Sequence, residues 1–407
     1  MLSTRQAWKM VLALCTAFAL SQAFRTVGAV MAQQLQADFR LSAEALGVFS
    51  GSFHFAFGAM QLFMGIGIDL HGVRRTVLAV FPLAIAGALL SAWSSSFAWL
   101  VFGQVLIGVG CAPAFLVCTV FIARHFPTAR FAFVSGMVLG VGGLGMLATG
   151  TPLAWLVQSE SWRAGFVALA LLSVLAWLVV FALVHEPAEA ADRRTESVAE
   201  LLRRFGAMFA MPHTLGILVL GAVTYAAFIS LRGLWLGPLL IERHGFSLVQ
   251  SGNVLLGISV ISLCGPALFG RLDSEGPGRR RRIVAFALGY AILLAAVGFV
   301  SSAWVDVVGA ALIGLVSGFI VLQYADVRSS YPPELTGRAM AVFTMAMFLG
   351  VALMQWLTGI AASMATAFGL EPFAAALGLM ALLVLVGVAA FAWLPGPAAA
   401  GARPLRS

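Results

Sequence analysis

Twelve long apolar stretches dominate this sequence. An α-helix needs ~20 mostly apolar residues to cross the ~30 Å hydrocarbon layer of a membrane, and each stretch reaches about that length. Only 10% of the 407 residues are charged, whereas soluble proteins carry about 25%. We therefore predict an all-α integral membrane protein with twelve transmembrane helices, and we exclude a soluble enzyme and a nucleic-acid partner despite the net charge of +8. The predicted spans cover residues 8–33, 43–68, 76–95, 97–123, 131–157, 164–185, 213–241, 247–270, 283–301, 304–326, 339–366 and 372–394.

The basic residues predict how these spans are oriented. Nineteen lysines and arginines fall on the side of the spans that carries both termini, against three on the other side, Arg40, Arg163 and Arg243. Basic residues are retained on the cytoplasmic side of a membrane. We therefore expect a multi-pass protein of the cytoplasmic (inner) membrane, embedded in the lipid bilayer, with both termini cytoplasmic.

A polar interval near the middle of the chain divides the spans six and six. It predicts an N-terminal six-helix bundle (1–186), a cytoplasmic linker (187–210), a C-terminal six-helix bundle (211–396) and a cytoplasmic tail (397–407). Six pairs of features recur at offsets of 204 to 207 residues: Arg25 and Arg232, Ser42 and Ser247, Gly47 and Gly252, Asp69 and Asp273, Arg124 and Arg328, Pro127 and Pro332. We therefore predict two pseudo-symmetric bundles with a substrate path between them, near the membrane midplane.

A glycine- and arginine-rich motif follows span 2 and reads Gly65-Ile-Gly-Ile-Asp69-Leu-His-Gly72-Val-Arg74-Arg75. A degenerate copy, Gly270-Arg-Leu-Asp273, follows span 8. The motif resembles the G-x-x-x-D-x-x-G-x-R-R signature of the major facilitator superfamily. That resemblance implies a transporter that rocks two bundles around a central site, with a cytoplasmic gate formed by Asp69, Gly72, Arg74, Arg75 and Asp273. We expect the functional unit to be a monomer.

Two arginines, Arg25 and Arg232, lie deep within spans 1 and 7. Each costs about 2.5–3.5 kcal/mol on insertion scales unless it meets a polar cavity or partner. Neither has an acidic residue of its own span within a helical turn. We interpret them as a pair of guanidinium groups on opposite walls of one cavity, suited to a carboxylate or phosphate. Arginines in spans 1 and 7 also resemble the arrangement in organophosphate–phosphate antiporters of the superfamily. Snorkelling to headgroups or bonding to backbone carbonyls is the alternative.

Polar residues within the spans are candidates to supplement the arginines in binding a substrate. His54 is also the candidate for carrying a coupling proton, because a neutral imidazole can gain a proton near physiological pH. The alternative for His54 is a hydrogen-bonded packing residue. The complete candidate set beside the arginines is Gln22, His54, Gln61, Tyr225, Asn253, Tyr324 and Gln355.

Several kinds of residue are missing from the spans. No Asp or Glu lies deep in a span, which argues against carriers of cations. Lys9 is the only lysine, and no phosphate-binding loop precedes it, so neither ATP nor another cofactor or metal is expected. The sequence therefore predicts a secondary active transporter for a small organic anion, such as a carboxylate or phosphate ester, with protons as the candidate coupling ion. The alternatives are an efflux carrier of a neutral or amphipathic compound and, in another class, a transporter-like membrane sensor.

Overall fold

The computed structural model describes residues 4–185, 211–273 and 277–394, which form helices and contain no strand. Eleven helical stretches are long and apolar enough to cross a membrane. One of them runs for 50 residues, from Ala43 to Ala92. At 1.5 Å per residue it would be about 75 Å long, more than twice the hydrocarbon thickness. A kink at Gly72 divides this stretch in two, so the twelve predicted spans are confirmed. The proposed linker 187–210 and tail 397–407 lie outside the described residues.

The twelve spans divide equally between the two halves of the chain. In the first half, the helices are Thr4–Phe24 and Gly28–Phe39 (span 1), Ala43–Val80 (span 2 and the start of span 3), Pro82–Ala92 (span 3), Phe97–Cys111 and Ala114–His125 (span 4), Thr128–Ala148 and Thr151–Ser159 (span 5), and Trp162–Leu183 (span 6). In the second half they are Thr214–Ser230, Leu231–Trp235 and Leu236–His244 (span 7), Leu248–Gly270 (span 8), Pro277–Phe299 (span 9), Ala303–Val316, Ser317–Phe319 and Ile320–Ser330 (span 10), Pro333–Ala367 (span 11), and Pro372–Trp393 (span 12).

The glycine of the sequence motif forms the turn between spans 2 and 3. Gly72 has φ 82° and ψ 170°, a conformation that residues with a side chain rarely adopt. The chain is helical on both sides of Gly72. The prediction ended span 2 at residue 68 and began span 3 at residue 76, and it therefore left helical residues on both sides of the turn outside the spans. Gly72 therefore has a structural role in reversing the chain.

Interruptions of the helices recur in the two halves. Span 1 breaks between Phe24 and Gly28, and span 7 changes to a π-helix over Leu231–Trp235. Span 4 breaks between Cys111 and Ala114, and span 10 contains the 3₁₀ turn Ser317–Phe319. Such irregular segments are often found at functional sites. Arg25 and Arg232 each lie within one of them.

Two equivalent seams join the halves. In the span 2–11 seam, a Cβ on Gly47 would overlap the carbonyl of Gln355. In the span 5–8 seam, a Cβ on Gly252 would lie 3.2 Å from the carbonyl oxygen of Gly150. Gly47 and Gly252 are 205 residues apart, so the same close backbone approach is used twice.

The seams close on one face of the protein and separate towards the other. We call the side where the chain begins the N-terminal face and the other side the opposite face. A Cβ on Gly143 of span 5 would contact Leu263 of span 8, whereas Cβ atoms on Gly140 and Gly136, on the same helical face, would meet nothing within 4 Å. The halves are therefore in contact near the opposite face and apart at the N-terminal face.

Ion pairs at the opposite face hold each half together. In the first half, Arg163 at the start of span 6 donates to Asp38 at the end of span 1, at 2.9 Å. In the second half, Arg243 at the end of span 7 pairs with Asp306 of span 10 at 3.1 Å and with Glu371 before span 12 at 2.9 Å. Span 1 ends in the acid and span 6 supplies the base, whereas span 7 ends in the base and the acid precedes span 12. The repeat therefore preserves the ion pair here but exchanges the two residue types.

Candidate substrate site between the two halves

Spans 1 and 7 cross where both are interrupted. A Cβ on Gly233 would lie 3.1 Å from the carbonyl oxygen of Arg25, and one on Gly28 would lie 2.8 Å from the carbonyl oxygen of Gly233. From this crossing the side chains of Arg25 and Arg232 extend in different directions. Arg25 extends to the span 2–11 seam and Arg232 extends to the span 5–8 seam, as their contacts show.

Arg25 lies between two aromatic rings contributed by both halves. The carbon of its guanidinium is 4.5 Å from the ring centre of Phe57 and 4.7 Å from that of Phe348. Its nitrogens donate to the hydroxyls of Tyr225 at 3.4 Å and Ser21 at 3.3 Å, and its Nε has no hydrogen-bond partner. The cation–π contacts stabilise the charge by about 2 kcal/mol in a desolvated setting. The side chain keeps 7% of its surface exposed and has unused donor capacity.

Arg232 is fully buried and bonds to the first half of the chain. One terminal nitrogen donates to the carbonyl oxygen of Met146 at 2.8 Å and to the hydroxyl of Thr149 at 3.4 Å. Its Nε donates to Ser259 of span 8 at 3.0 Å, and its other terminal nitrogen has no partner. Thr149 also shares a 2.7 Å hydrogen bond with Thr26. Arg232 therefore connects spans 1, 5, 7 and 8 in this state.

Neither guanidinium forms an ion pair with a carboxylate within the described parts of the chain. Both arginines instead contact polar or aromatic groups of the other half of the protein. These contacts stabilise the two positive charges only while the halves are together, because separation of the halves removes the partners that the other half supplies. Both arginines are therefore placed to respond to a change in the arrangement of the halves.

His54 and Gln355 meet within the span 2–11 seam, and both are buried. Nδ1 of His54 is 3.1 Å from the carbonyl oxygen of Ser50, and the ring centre is 6.4 Å from that of Phe348. The amide of Gln355 lies beside the His54 ring, and Arg25 is close enough to interact with it electrostatically. In this state, His54 is buried on the side of the protein where the two halves are in contact.

Three other predicted residues lie on the side of Arg25 where the halves separate. Tyr324 is half-buried, bonds to Thr344 at 3.2 Å, and is close enough to Tyr225 and Arg25 to interact electrostatically. Gln22 is half-buried on the turn before Arg25. Gln61 donates to the carbonyl oxygen of Ala112 at 3.2 Å, where span 4 is interrupted. Gln61 is thus occupied within its own half.

Asn253 is separated from both arginines. Its side-chain oxygen accepts a 2.6 Å hydrogen bond from Thr151, and the residue is exposed. Ser259, which contacts Arg232, lies six residues later on span 8, a rotation of about 120° around the helix. Asn253 therefore contributes to the span 5–8 seam at its outer side.

The predicted gate residues at the N-terminal face contact groups of their own half. Asp69 is 3.6 Å from Arg124, and Arg74 donates to the carbonyl oxygen of Phe181 at 3.1 Å. Asp273 accepts two hydrogen bonds from Arg279, at 2.6 and 3.0 Å. Arg75 is exposed. These contacts stabilise the helix ends of each bundle on the side where the bundles are apart.

Sequence reasoning missed the immediate partners of both arginines. Phe57 and Phe348 are of a residue type typical of apolar packing, so their identity alone does not indicate a place at the site. One signal was available, because Phe57 lies about one turn after the candidate His54 and one turn before the candidate Gln61, on the same helical face. No sequence signal identifies the carbonyl of Met146, which any residue type would supply.

The chain belongs to the Major Facilitator Superfamily, whose family model matches residues 13–355. It is a membrane transporter and not an enzyme. The structure is similar to the crystal structure of a D-xylose–proton symporter, with a TM-score of 0.75, 16% identity and coverage of 96% of this chain and 98% of that one. A bacterial homologue of the human lysosomal transporter Spinster, in an inward-facing and occupied conformation, matches with a TM-score of 0.72, 17% identity and coverage of 96% and 97%. At these identities the similarity shows a shared fold.

Curated relatives match shorter parts of the chain. A probable sulfoacetate transporter of Cupriavidus necator is 22% identical over 47% of this chain and 44% of its own length. A hexuronate transporter of Bacillus subtilis is 23% identical over 39% and 37%. A multidrug resistance protein of Proteus mirabilis is 26% identical over 33% and 34%. In each case the match spans less than half the length of the relative.

Proposed function

We propose that this protein is a secondary active transporter of a small organic anion and that Arg25 is the principal contact for the anionic group. The observation that carries the proposal is the environment of Arg25. It is an intramembrane cation without a carboxylate partner in the described structure, it keeps a free Nε donor, and it lies at the boundary of the two halves. Intramembrane charges of this kind mark substrate pathways in transporters.

The substrate class follows from the geometry of the guanidinium and agrees with two relatives. A planar guanidinium can donate two parallel hydrogen bonds to a carboxylate, sulfonate or phosphate. Sulfoacetate and hexuronates, after which two relatives are named, both carry such groups. Tyr225 and Tyr324 lie near Arg25 and would supply hydroxyl donors to the remainder of a small anion. Arg232 would join them only when its contacts with Met146 and Thr149 are released.

We further propose the orientation that the basic residues predict, with both termini in the cytoplasm and the chain acting as a monomer in the inner membrane. The N-terminal face is then cytoplasmic, and the structure represents an inward-facing state. In that state Arg25 is approached from the cytoplasm, while His54 and Arg232 are enclosed on the periplasmic side of the site.

Uptake by proteoliposomes tests the substrate class. Vesicles containing the purified protein are expected to accumulate labelled sulfoacetate, glucuronate or glycerol 3-phosphate, and an excess of the same unlabelled anion is expected to compete. Protein-free vesicles give the background, and neutral xylose is the matched uncharged solute. Uptake of xylose without uptake of any anion would contradict the proposal.

A proton is the coupling ion that we propose, carried by His54. Because His54 lies beside Arg25 in the seam that must open on the opposite face, its protonation would alter the balance between the two arrangements. An imposed pH gradient is therefore expected to drive uptake by the wild type. His54→Gln is expected to abolish this stimulation while leaving exchange of internal for external anion intact. Stimulation of the His54→Gln protein equal to that of the wild type would remove His54 from the coupling mechanism.

A second candidate function is efflux of a neutral or amphipathic compound. The rings of Phe57 and Phe348 beside the site favour it, since aromatic faces bind such compounds without charge pairing. The similarity to a multidrug resistance protein agrees with this alternative. Transport of an uncharged aromatic dye with no competition by anions would support efflux over the first proposal.

A further inference from the structure

A cavity of about 590 Å³ lies on the opposite face between the two halves, apart from the arginine site. The first half contributes Ala43 and Leu46 to its wall, and the second half contributes Trp235, Glu242 and Phe373. Sites for small molecules typically have volumes of about 300–1,000 Å³. The cavity is therefore large enough to hold a compact organic ligand.

The lining of this cavity is mainly apolar and includes a single ionisable side chain, Glu242. Glu242 lines the cavity with an exposed side chain, and it has no hydrogen-bond or ion-pair partner among the described residues. The neighbouring bases do not neutralise it, because Arg243 and His244 both bond to Asp306, at 3.1 and 2.6 Å. A carboxylate that lines a mainly apolar cavity and has no counter-charge attracts a cation.

Two aromatic side chains line the same cavity. Trp235 and Phe373 both line the cavity, and their ring centres are 6.3 Å apart in an edge-to-face arrangement. Aromatic faces attract organic cations, and quaternary ammonium groups are held in this way in proteins. The negative charge and the rings therefore select the same kind of ligand.

We propose that this cavity is a binding site for a small aromatic ammonium ion, with Glu242 pairing with its charge and Trp235 and Phe373 contacting its apolar part. Because both halves form the wall, the site is complete only while they are closed on the opposite face. A ligand that binds one state stabilises that state. The ammonium ion is therefore an inhibitor that holds the protein in the arrangement seen here. This inference requires the alternating movement of the halves and is independent of the anion proposal.

Benzyltrimethylammonium is a suitable probe, because its fixed charge keeps it from crossing the membrane. We expect it to bind the purified full-length protein with a Kd below about 1 mM by calorimetry. Glu242→Gln is expected to weaken binding at least tenfold. Glu160→Gln, which removes an exposed carboxylate on the same face outside the cavity, is expected to change affinity less than twofold. Thr366→Trp places an indole at an exposed position of the cavity wall and is expected to prevent binding without disturbing the core.

A second measurement reports the state of the protein. Gly140→Cys, made in a Cys264→Ser background, puts a thiol in the open space at the N-terminal face. Benzyltrimethylammonium is expected to increase its rate of alkylation at least threefold, and Glu242→Gln is expected to remove that increase. Unchanged affinity in either Glu242→Gln or Thr366→Trp, or slower alkylation with the ligand present, would overturn the proposal. Tetramethylammonium, which lacks the ring, is expected to bind more weakly than the probe.

Discussion

Arg25→Gln is expected to reduce the apparent affinity for organic anions by at least about a hundredfold. Hydrogen bonds to a charged group contribute about 1.5–3 kcal/mol each, and 1.4 kcal/mol corresponds to a factor of ten. A guanidinium supplies two such bonds in parallel, whereas a glutamine amide is neutral and shorter. The effect is measured as the half-saturation concentration for anion uptake in proteoliposomes. Arg25→Lys keeps the charge without the planar fork and is expected to be intermediate.

Controls separate the binding role of Arg25 from a role in folding. Arg130→Gln removes an exposed arginine near the N-terminal face and is expected to transport normally. The Arg25→Gln protein should remain monodisperse in detergent, because Phe57 and Phe348 can pack against the amide. If it folds and its half-saturation concentration stays within threefold of the wild-type value, Arg25 is not the anion contact. If Arg25→Gln does not fold and Arg25→Lys does, the loss of anion affinity is measured on the Arg25→Lys protein.

Arg232→Gln is expected to shift the equilibrium between the two arrangements at least about tenfold towards the one open on the opposite face. Its charged hydrogen bond to the carbonyl of Met146 crosses between the halves, and one such bond contributes about 1.5–3 kcal/mol. Reporter thiols measure the shift in a Cys264→Ser background with a membrane-impermeant methanethiosulfonate. We expect faster modification of Ser50→Cys, a buried position of span 2 beside Gly28 of span 1, and slower modification of Gly140→Cys at the N-terminal face.

Arg163→Gln is the matched control for this experiment. It breaks a 2.9 Å ion pair with Asp38 that lies within the first half, so it should leave the equilibrium between the halves unchanged. Equal modification rates at Ser50→Cys in the Arg232→Gln and wild-type backgrounds would show that the contact with Met146 does not hold the halves together.

The number of spans and the internal repeat could be predicted because they depend on quantities that a sequence carries directly. Length and hydropathy determine how many helices can cross a membrane. The offset of about 205 residues reappears in the structure at Ser42 and Ser247, whose hydroxyls cap their helices by accepting from the backbone of Ala45 and Gln250. Helix-capping residues of this kind can be predicted from sequence because the backbone groups that they bond lie within one helical turn of them.

The directions of the two arginine side chains could not be predicted in the same way. Symmetry led us to expect Arg25 and Arg232 on opposite walls of one cavity, but the structure places them at two different seams. A broken helix and a π-helix each alter the rotation of the following residues, so a side chain's direction cannot be read from uniform helical spacing. Asn253 was also misplaced by the prediction, although its helix is regular, because its position on that helix turns its side chain away from the arginines. Both outcomes depend on backbone geometry that residue types alone do not specify.

The two seams that repeat the same backbone contact surround their arginines with different chemistry. Phe57 and Phe348 surround Arg25, whereas hydroxyls and a carbonyl surround Arg232. Duplicated parts that differ in this way can divide two tasks between them. Under the proposed function, we expect substitutions beside Phe57 to change which substrate is carried and substitutions beside Thr149 to change the rate of the transport cycle. If the two tasks are divided in this way, substrate specificity can change by mutation near Arg25 while the rate of the cycle stays the same.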